Sequence, residues 1–424
     1  MSYKNFKISN GADGIFVENT RFNTTVISLN FYLPLNSESI AANALLPYVL
    51  TSCSEEYPDY SKLNLKLSML YGADLSVNVD KVRDVQHIRF AISVINDEFA
   101  LNEGEQILNS AMELLLSLIF NPLKEGESLS FSDTEREKRK LLEHIEGEFN
   151  DKRSFAKNRM LSIMFENSPY GISKYGLKED AEKITAKDLY FSWINMLNSA
   201  YVRVQVIGKT LPEGIFEKVK EKLDFYKRDN ITDYTATVPV TSAEKVKRVT
   251  DNYDVAQGKL VMGFSCDLYG EDEVSLNIMC DIFGGGPYSF LFENVREKMS
   301  LCYYCSASCV RSKGFLLVQS GVEAENCEKA ENEILKQLEL VKKGEFSDFT
   351  YNASIKAITG SLKAYNDSPY ALDKWYSAII MKDKLKTPEF MAEQVLNVTK
   401  EDIIKAANSV KLHTVYRLLP KEAQ

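Results

Sequence analysis

Histidine is scarce in this chain: there are 3 in 424 residues, His87, His144 and His413. None stands four residues from another, which excludes a pair of histidines gripping a catalytic metal from one helical face. The glycine run Gly284–Gly286 is followed by Pro287 and Tyr288 instead of lysine and a hydroxyl residue, so it is not a phosphate loop. No Gly-x-Ser-x-Gly nucleophile elbow occurs. No apolar run of about 18 residues is present, so no membrane span is expected. The opening Met-Ser-Tyr-Lys-Asn-Phe-Lys lacks the apolar core of a secretion signal. Basic charge is also in deficit, with 51 Lys and Arg against 60 Asp and Glu and a formal net charge of -9. That balance argues against a nucleic-acid surface and favours cationic peptides as ligands. The 7 cysteines, an odd number in a large chain, fit unpaired thiols in a reducing cytoplasm.

The length calls for at least two domains. Alternation over residues 13–36 predicts two strands joined by a turn at 20–23. Residues 38–52 read as a helix with Pro47 inside the pattern, and 60–71 as a second helix ending at Gly72. Strands follow at 74–79 and 87–94, then a longer helix over 103–119 stopped by Asn121-Pro122. A polar connector (124–132) precedes a strongly charged helical stretch over 134–162 and a loop at 170–176. Thr185 reads as a helix cap with Asp188 at the third helical position, and 202–208 closes the half as a strand. Residues 209–250 are charged, with no clear apolar face after a helix over 216–225, and read as a linker.

The remainder repeats the first half. A strand over 258–264 matches 26–31, and a helix over 274–283 matches 40–50. Residues 301–309 match 71–77, 314–321 match 87–94, 328–343 match 103–119, and 346–364 match 134–162. The clearest pair is Ile184-Thr185-Ala186-Lys187-Asp188-Leu189 with Val398-Thr399-Lys400-Glu401-Asp402-Ile403, each followed by a helix and a final strand. The expected fold class is therefore α+β: two tandem homologous α/β sandwich domains of roughly 200 residues each. The first spans 1–208, the linker 209–250 and the second 251–424.

Residues 283–306 concentrate the unusual features. Gly284–Gly286 end an apolar helical run, a place where glycine tolerates a left-handed exit. An amphipathic segment follows, with Leu291, Phe292 and Val295 inward and Glu293, Arg296 and Lys298 outward. Beyond Ser300 the pattern is an aromatic-rich strand. Arg296 and Tyr303 thus flank a helix-to-strand junction that can point a cation and a phenol into one cleft. Cys302, Cys305 and Cys309 include one Cys-x-x-Cys and no second. Residues three apart on a strand face opposite sides, so these read as buried thiols.

This stretch resembles the signature of the C-terminal half of pitrilysin/insulinase-type zinc peptidases, the family that includes mitochondrial processing peptidase. The family reads Gly-Gly-Gly, then Leu-Phe, then Arg-Glu-Lys, then Gly-Leu-Ala-Tyr. The chain keeps Gly284–Gly286, Leu291-Phe292, Arg296-Glu297-Lys298, Leu301 and Tyr303, and departs at Pro287, Ser300 and Cys302. The resemblance implies a clam-shell of two sandwich halves with antiparallel or mixed sheets. It also implies where zinc would sit: a His-x-x-Glu-His motif on the first long helix, with a glutamate ligand from a later one. Here Asn43 and Pro47 align with the two histidines and Leu46 with the glutamate base, and neither leucine nor proline can do that work. His144, with Glu143 beside it, stands near the third-ligand position. No cofactor is therefore expected in this chain.

In the family an arginine and a tyrosine of the second half meet the scissile carbonyl, where they stabilise developing negative charge. The matching residues are Arg296 and Tyr303, with Tyr304 as a competing candidate. The resemblance points to a non-catalytic, cytoplasmic, bacterial subunit of a heterodimeric zinc peptidase. It would complete the chamber for a peptide substrate while a homologous zinc-bearing partner supplies metal and base. Zinc-less members beside an active homologue in Gram-positive bacteria look most similar, and alone the chain could form a homodimer. The alternative is a structural or peptide-binding protein of the same fold with no role in proteolysis. A third reading places an unusual metal site at Glu143, His144, Glu146 and Glu148, against the plainer view of a solvated helix face. His87 and His413 read as sheet-surface residues.

Overall fold

The computed structural model describes residues 2–235, 237–238, 240–266, 273–310, 313–378 and 386–421. The first repeat runs β1 (Ser2–Ser9), β2 (Ala12–Glu18), β3 (Thr24–Pro34), α1 (Ile40–Leu50), α2 (Tyr60–Met69), β4 (Asp74–Val82) and β5 (Val85–Ile95). It continues through α3 (Ile107–Phe120), α4 (Phe131–Gly147), α5 (Lys152–Met164), α6 (Lys178–Lys183), α7 (Ala186–Ser199) and β6 (Tyr201–Gly208). After α8 (Ile215–Leu223) come β7 (Lys247–Tyr253), β8 (Gly258–Cys266), α9 (Glu273–Gly284), β9 (Cys302–Val310) and β10 (Phe315–Val322). The chain closes with α10 (Cys327–Lys342), α11 (Asp348–Ala364), α12 (Pro369–Ala378), α13 (Pro388–Leu396), α14 (Lys400–Asn408) and β11 (Val410–Pro420).

The duplication read from the sequence is a duplication of topology. The first sheet has the order β1-β2-β6-β3-β5-β4 and the second β7-β11-β8-β10-β9. With β1 set aside, the two orders match strand for strand, including one parallel pair in each, β2 with β6 and β7 with β11. The edge strands β4 and β9 correspond. Both sheets are mixed, as expected. The paired motifs are paired capping boxes: the Thr185 hydroxyl accepts from Asp188 N at 3.2 Å and the Thr399 hydroxyl from Asp402 N at 3.2 Å. Each carboxylate in turn accepts from its threonine's backbone N–H.

Two compact units result. The first comprises the described residues of Met1–Glu146, Ile172–Ala236 and Tyr365–Leu385, the second those of Gly147–Gly171, Thr237–Ala364 and Lys386–Gln424. Each unit thus contains one helix from the other repeat, α12 in the first and α5 in the second. The charged stretch 134–162, which reads as one helix, is broken to allow this. α4 stops at Gly147, and a short 3-10 turn leads to Asp151, whose carboxylate caps α5 by accepting from Arg153 N at 3.1 Å and Ser154 N at 3.2 Å. Much of the segment following β6 is in the first unit. There the buried Arg228 donates to the carbonyls of Leu197 (2.5 Å), Ala200 (2.8 Å) and Gly11 (3.1 Å). No described helix is long and apolar enough to cross a membrane.

Alternation on the central strands gives the first sheet two different faces. Ile27, Leu29, Phe31 and Leu33 join Ile88, Phe90, Ile92, Val202, Val204 and Val206 in the apolar core with α1, α3 and α7. The opposite face carries Ser28, Asn30, Tyr32, His87, Arg89, Arg203 and Gln205, all buried. Such a polar face reads as solvated, but α12 covers it: Ser28 Oγ donates to Asp373 at 2.5 Å and the Tyr32 hydroxyl to Ser377 O at 2.8 Å.

His87 is therefore not the sheet-surface residue its strand position implies. It is 5% exposed, stacked on Tyr32 at 4.7 Å, and its Nε2 lies 2.9 Å from Asn30 Oδ1. His413 is half-buried beside a bulge in β11, its Nδ1 2.8 Å from Thr414 Oγ1. Burial holds the His87 ring neutral, its pKa pushed down from 6.5 to about 3. The unfolded chain takes up that proton near pH 6.5 and the folded chain does not, so stability is lost as pH falls through this window. The loss expected from His87 is about 2 kcal/mol at pH 5. Urea unfolding at pH 7.5 and pH 5 checks this: wild type should lose that much more than His87→Gln, and equal losses would refute it.

Candidate functional site

The helix that the resemblance aligns with the zinc-binding one is α1, in the first unit, and its side chains are committed elsewhere. Asn43 is 1% exposed and its Oδ1 accepts from Ser192 Oγ of α7 at 2.7 Å. Leu46 is fully buried in the apolar core. Pro47 sits inside the helix, without an N–H to give to the preceding turn, and its carbonyl accepts from the Thr51 hydroxyl at 2.8 Å. These residues do not fit a zinc ion: one donor is spent, one position is hydrocarbon and one is a ring without a lone pair. His144 on α4 is exposed, its ring 4.8 Å from that of Tyr175. Glu143 beside it is exposed, Glu146 pairs with Lys178 at 2.7 Å, and Glu148 accepts from Asn158. Among the described residues no three His, Cys, Asp or Glu side chains form a group able to hold a metal.

The structure brings forward residues that the motif comparison passed over. Asp133 and Glu137, four apart on α4, point at the segment following α1. Asp133 accepts from Cys53 Sγ at 3.1 Å, and Glu137 from Arg136 Nε and Lys140 Nζ at 2.9 Å and Ser52 Oγ at 3.5 Å. Burial and the Asp133 carboxylate push the Cys53 thiol up to about 12. Tyr48 on α1 is hydrogen-bonded to Tyr175, and burial pushes its phenol up to about 12. Around α1 and the segment after it the structure thus holds a network of phenols and hydrogen-bonded carboxylates. The i, i+4 spacing of Asp133 and Glu137 was the available signal.

In the second unit the glycine run works differently from the sequence expectation. None of Gly284, Gly285 and Gly286 has a positive φ. What the run allows is close approach: a Cβ on Gly284 would lie 2.6 Å from Ala307 N of β9, and one on Gly285, just past the helix, would strike Asp281 of α9. Tyr288 donates to Asp281 at 2.7 Å and closes the turn. The chain then forms a π-helical turn, Leu291–Lys298, with Leu291 and Val295 fully buried. Arg296 is half-exposed, its guanidinium 4.6 Å over the Phe292 ring and its Nε 3.5 Å from Glu297. The left-handed residue of this region is Ser300, at φ 50°. It stands where the family signature has glycine, so Ser300→Gly is expected to raise stability by about 1 kcal/mol. A thermal melt of the two proteins checks it, and a lower midpoint for the variant would refute it.

The edge strand β9 begins with an irregularity that decides where its side chains point. Gly321 pairs with Tyr304 but Val322 with Cys302, so Tyr303 is the extra residue of a bulge. The bulge turns Tyr303 outward: it is 77% exposed and its hydroxyl has no partner among the described residues. Tyr304 packs on Gly321 under the Arg153 guanidinium, 4.5 Å from its ring, and Arg153 is held by Gln319 at 3.0 Å and Ser306 at 3.2 Å. Of the two tyrosines, 303 is the one open to a ligand. The bulge also corrects the reading of the cysteines. Cys302 pairs with Val322 and Cys305 with Ser320, two positions on one face of β10, so both thiols lie on that face.

Comparison with known proteins agrees with this geometry. Residues 183–358 match the family described as the peptidase M16 inactive domain. The probable inactive metalloprotease YmfF of Bacillus subtilis (strain 168) is 30% identical over 425 residues, which span 99% of this chain and 98% of that protein. An uncharacterized zinc protease of Rickettsia felis is 21% identical over 311 residues, 71% of this chain and 72% of its own. Among solved structures, a conserved protein from Enterococcus faecalis V583 superposes with a TM-score of 0.89 at 24% identity, covering 100% of this chain and 99% of that one. A peptidase M16 inactive domain from Pseudomonas fluorescens gives 0.80 at 16% identity, with 100% of each chain covered. At the identity and coverage it shares with the Bacillus subtilis protein, the chain belongs to the M16, or pitrilysin/insulinase-type, peptidase family as an inactive homologue.

Proposed function

We propose that this chain is the non-catalytic subunit of a cytoplasmic two-chain zinc peptidase, whose second chain is a homologue with an intact His-x-x-Glu-His motif. The partner supplies metal and base. This chain completes the peptide-binding surface and presents Arg296 and Tyr303 to the carbonyl under attack, where a guanidinium and a phenol favour the oxyanion over the neutral ground state. The observation that carries the reading is the bulge at Tyr303, which leaves an exposed phenol on an edge strand directly after the turn that bears Arg296. A buried core tyrosine would have needed no bulge.

The test is reconstitution. The chain, alone and mixed with a zinc-bearing homologue from the same organism, is assayed on a peptide library. Hydrolysis is expected only, or far faster, in the mixture. A homologue equally active alone would overturn the proposal and leave a structural or peptide-binding role. The purified chain alone, after dialysis, is also expected to hold no stoichiometric zinc by elemental mass spectrometry. About one tightly held zinc per chain would contradict the account of α1.

A further inference from the structure

The thiols of Cys302 and Cys305 have no role in the proposed peptide chemistry. The bulge places them on one face of β9, and they share a hydrogen bond in which Cys305 donates to Cys302. Cys302 is half-buried at the start of the edge strand, while Cys305 is 5% exposed. Ser320, the cross-strand partner of Cys305, donates its hydroxyl to Tyr304 O at 3.0 Å, and the Arg296 guanidinium lies near enough to Cys302 to act on its charge. An accessible sulfur beside a cation, with a second, buried thiol on the same strand face behind it, is the arrangement of an attacking and a resolving cysteine.

We propose that Cys302 and Cys305 form a redox modification site, at which Cys302 reacts with a low-molecular-weight disulfide and Cys305 resolves the product into an intramolecular disulfide. In the first step the Cys302 thiolate attacks one sulfur of the disulfide RSSR. A Cys302 Sγ–SR bond forms, the S–S bond of RSSR breaks, and RS⁻ leaves. In the second, Cys305 gives up its proton and attacks Cys302 Sγ, and the second RS⁻ leaves as the Cys302–Cys305 bond forms. Two protein thiols are oxidised by two electrons, RSSR is reduced to two RSH, and the two protons end on those thiols.

The local electrostatics support the division of roles. The Cys302 thiol is pulled down to about 7, chiefly by the hydrogen bond from Cys305 and further by Arg296, against its partial burial. The Cys305 thiol is pushed well up, by keeping its proton toward Cys302 and by burial. Closing the bond requires the bulged segment to bend further, which is easier for an edge strand paired on one side only.

The experiment uses the full chain and oxidised glutathione. After incubation at pH 7, acid quenching and alkylation, peptide mass spectrometry should find a disulfide joining Cys302 to Cys305 and the other cysteines alkylated. Cys305→Ser should accumulate glutathione on Cys302, and Cys302→Ser should leave Cys305 unmodified. On the wild-type chain, iodoacetamide should label Cys302 about tenfold faster than Cys309, which is also half-buried on β9. A glutathione adduct that persists on wild-type Cys302 would overturn the proposal, as would labelling of Cys302 no faster than of Cys309.

Discussion

Replacing Asp373 with alanine is expected to lower the stability of the first unit by about 3–5 kcal/mol. Asp373 sits on α12 and is 0% exposed; Arg89, its partner on β5, is 2% exposed. Arg89 Nε donates to the carboxylate at 2.6 Å, its Nη2 makes a second contact there, and Ser28 Oγ donates to the other oxygen at 2.5 Å. The guanidinium also stacks 4.7 Å from the Tyr370 ring of the same helix. Burial pushes the Asp373 carboxyl up, and Arg89 and Ser28 offset that only in part; a buried pair of this kind contributes little net stability while it is intact. Breaking it is a different matter, because the guanidinium would then sit buried without a counter-charge. Two variants separate these quantities. Asp373→Ala should show the full loss in urea unfolding, whereas the double replacement Arg89→Met, Asp373→Leu should recover most of it. A single-variant loss below about 1 kcal/mol, the range of an exposed pair, would show that the contact is not a buried clamp.

The same contact explains what the sequence made legible and what it did not. Features set by neighbours along the chain were readable. The alternation of β3, the capping boxes at Thr185 and Thr399, and the inward Leu291 and Val295 all depend on spacings of two to four residues. Features set by a distant partner were not. Ser28, Asn30, His87 and Arg89 form a polar row that looks solvated until α12 is laid over it, and nothing near His87 announces a helix so remote in sequence. The bulge at Tyr303 is invisible for a related reason: register belongs to a strand pair, and only Val322 across the ladder shows that one residue of β9 is surplus. β1 was missed because it is a largely exposed edge strand with no apolar row. At the positions that the resemblance aligns with the zinc motif, the residue types alone argued against zinc, whereas the Tyr48–Tyr175 contact and the Asp133 and Glu137 anchors required coordinates.

In the reconstituted two-chain peptidase, Arg296→Ala is expected to lower kcat by about 10²–10³-fold with assembly unchanged, the usual consequence of losing one oxyanion-stabilising donor. The structural cost of the substitution should be small. Arg296 is half-exposed, and among the described residues its partners are Phe292, Glu297 and the charge of Cys302, so a stability change within about 0.5 kcal/mol is expected. Tyr303→Phe removes an exposed hydroxyl that has no partner among the described residues. Any effect of that change therefore belongs to the complex and not to the fold. If both groups meet the same developing charge, the double variant should lose less than the product of the single effects, because the second deletion acts on a site already disabled. A rise in KM with kcat intact would assign both residues to peptide binding in place of transition-state stabilisation. Unchanged turnover in both single variants would remove the catalytic part of the proposal, leaving the exposed phenol and the bulge that presents it to be accounted for by contact with the partner chain.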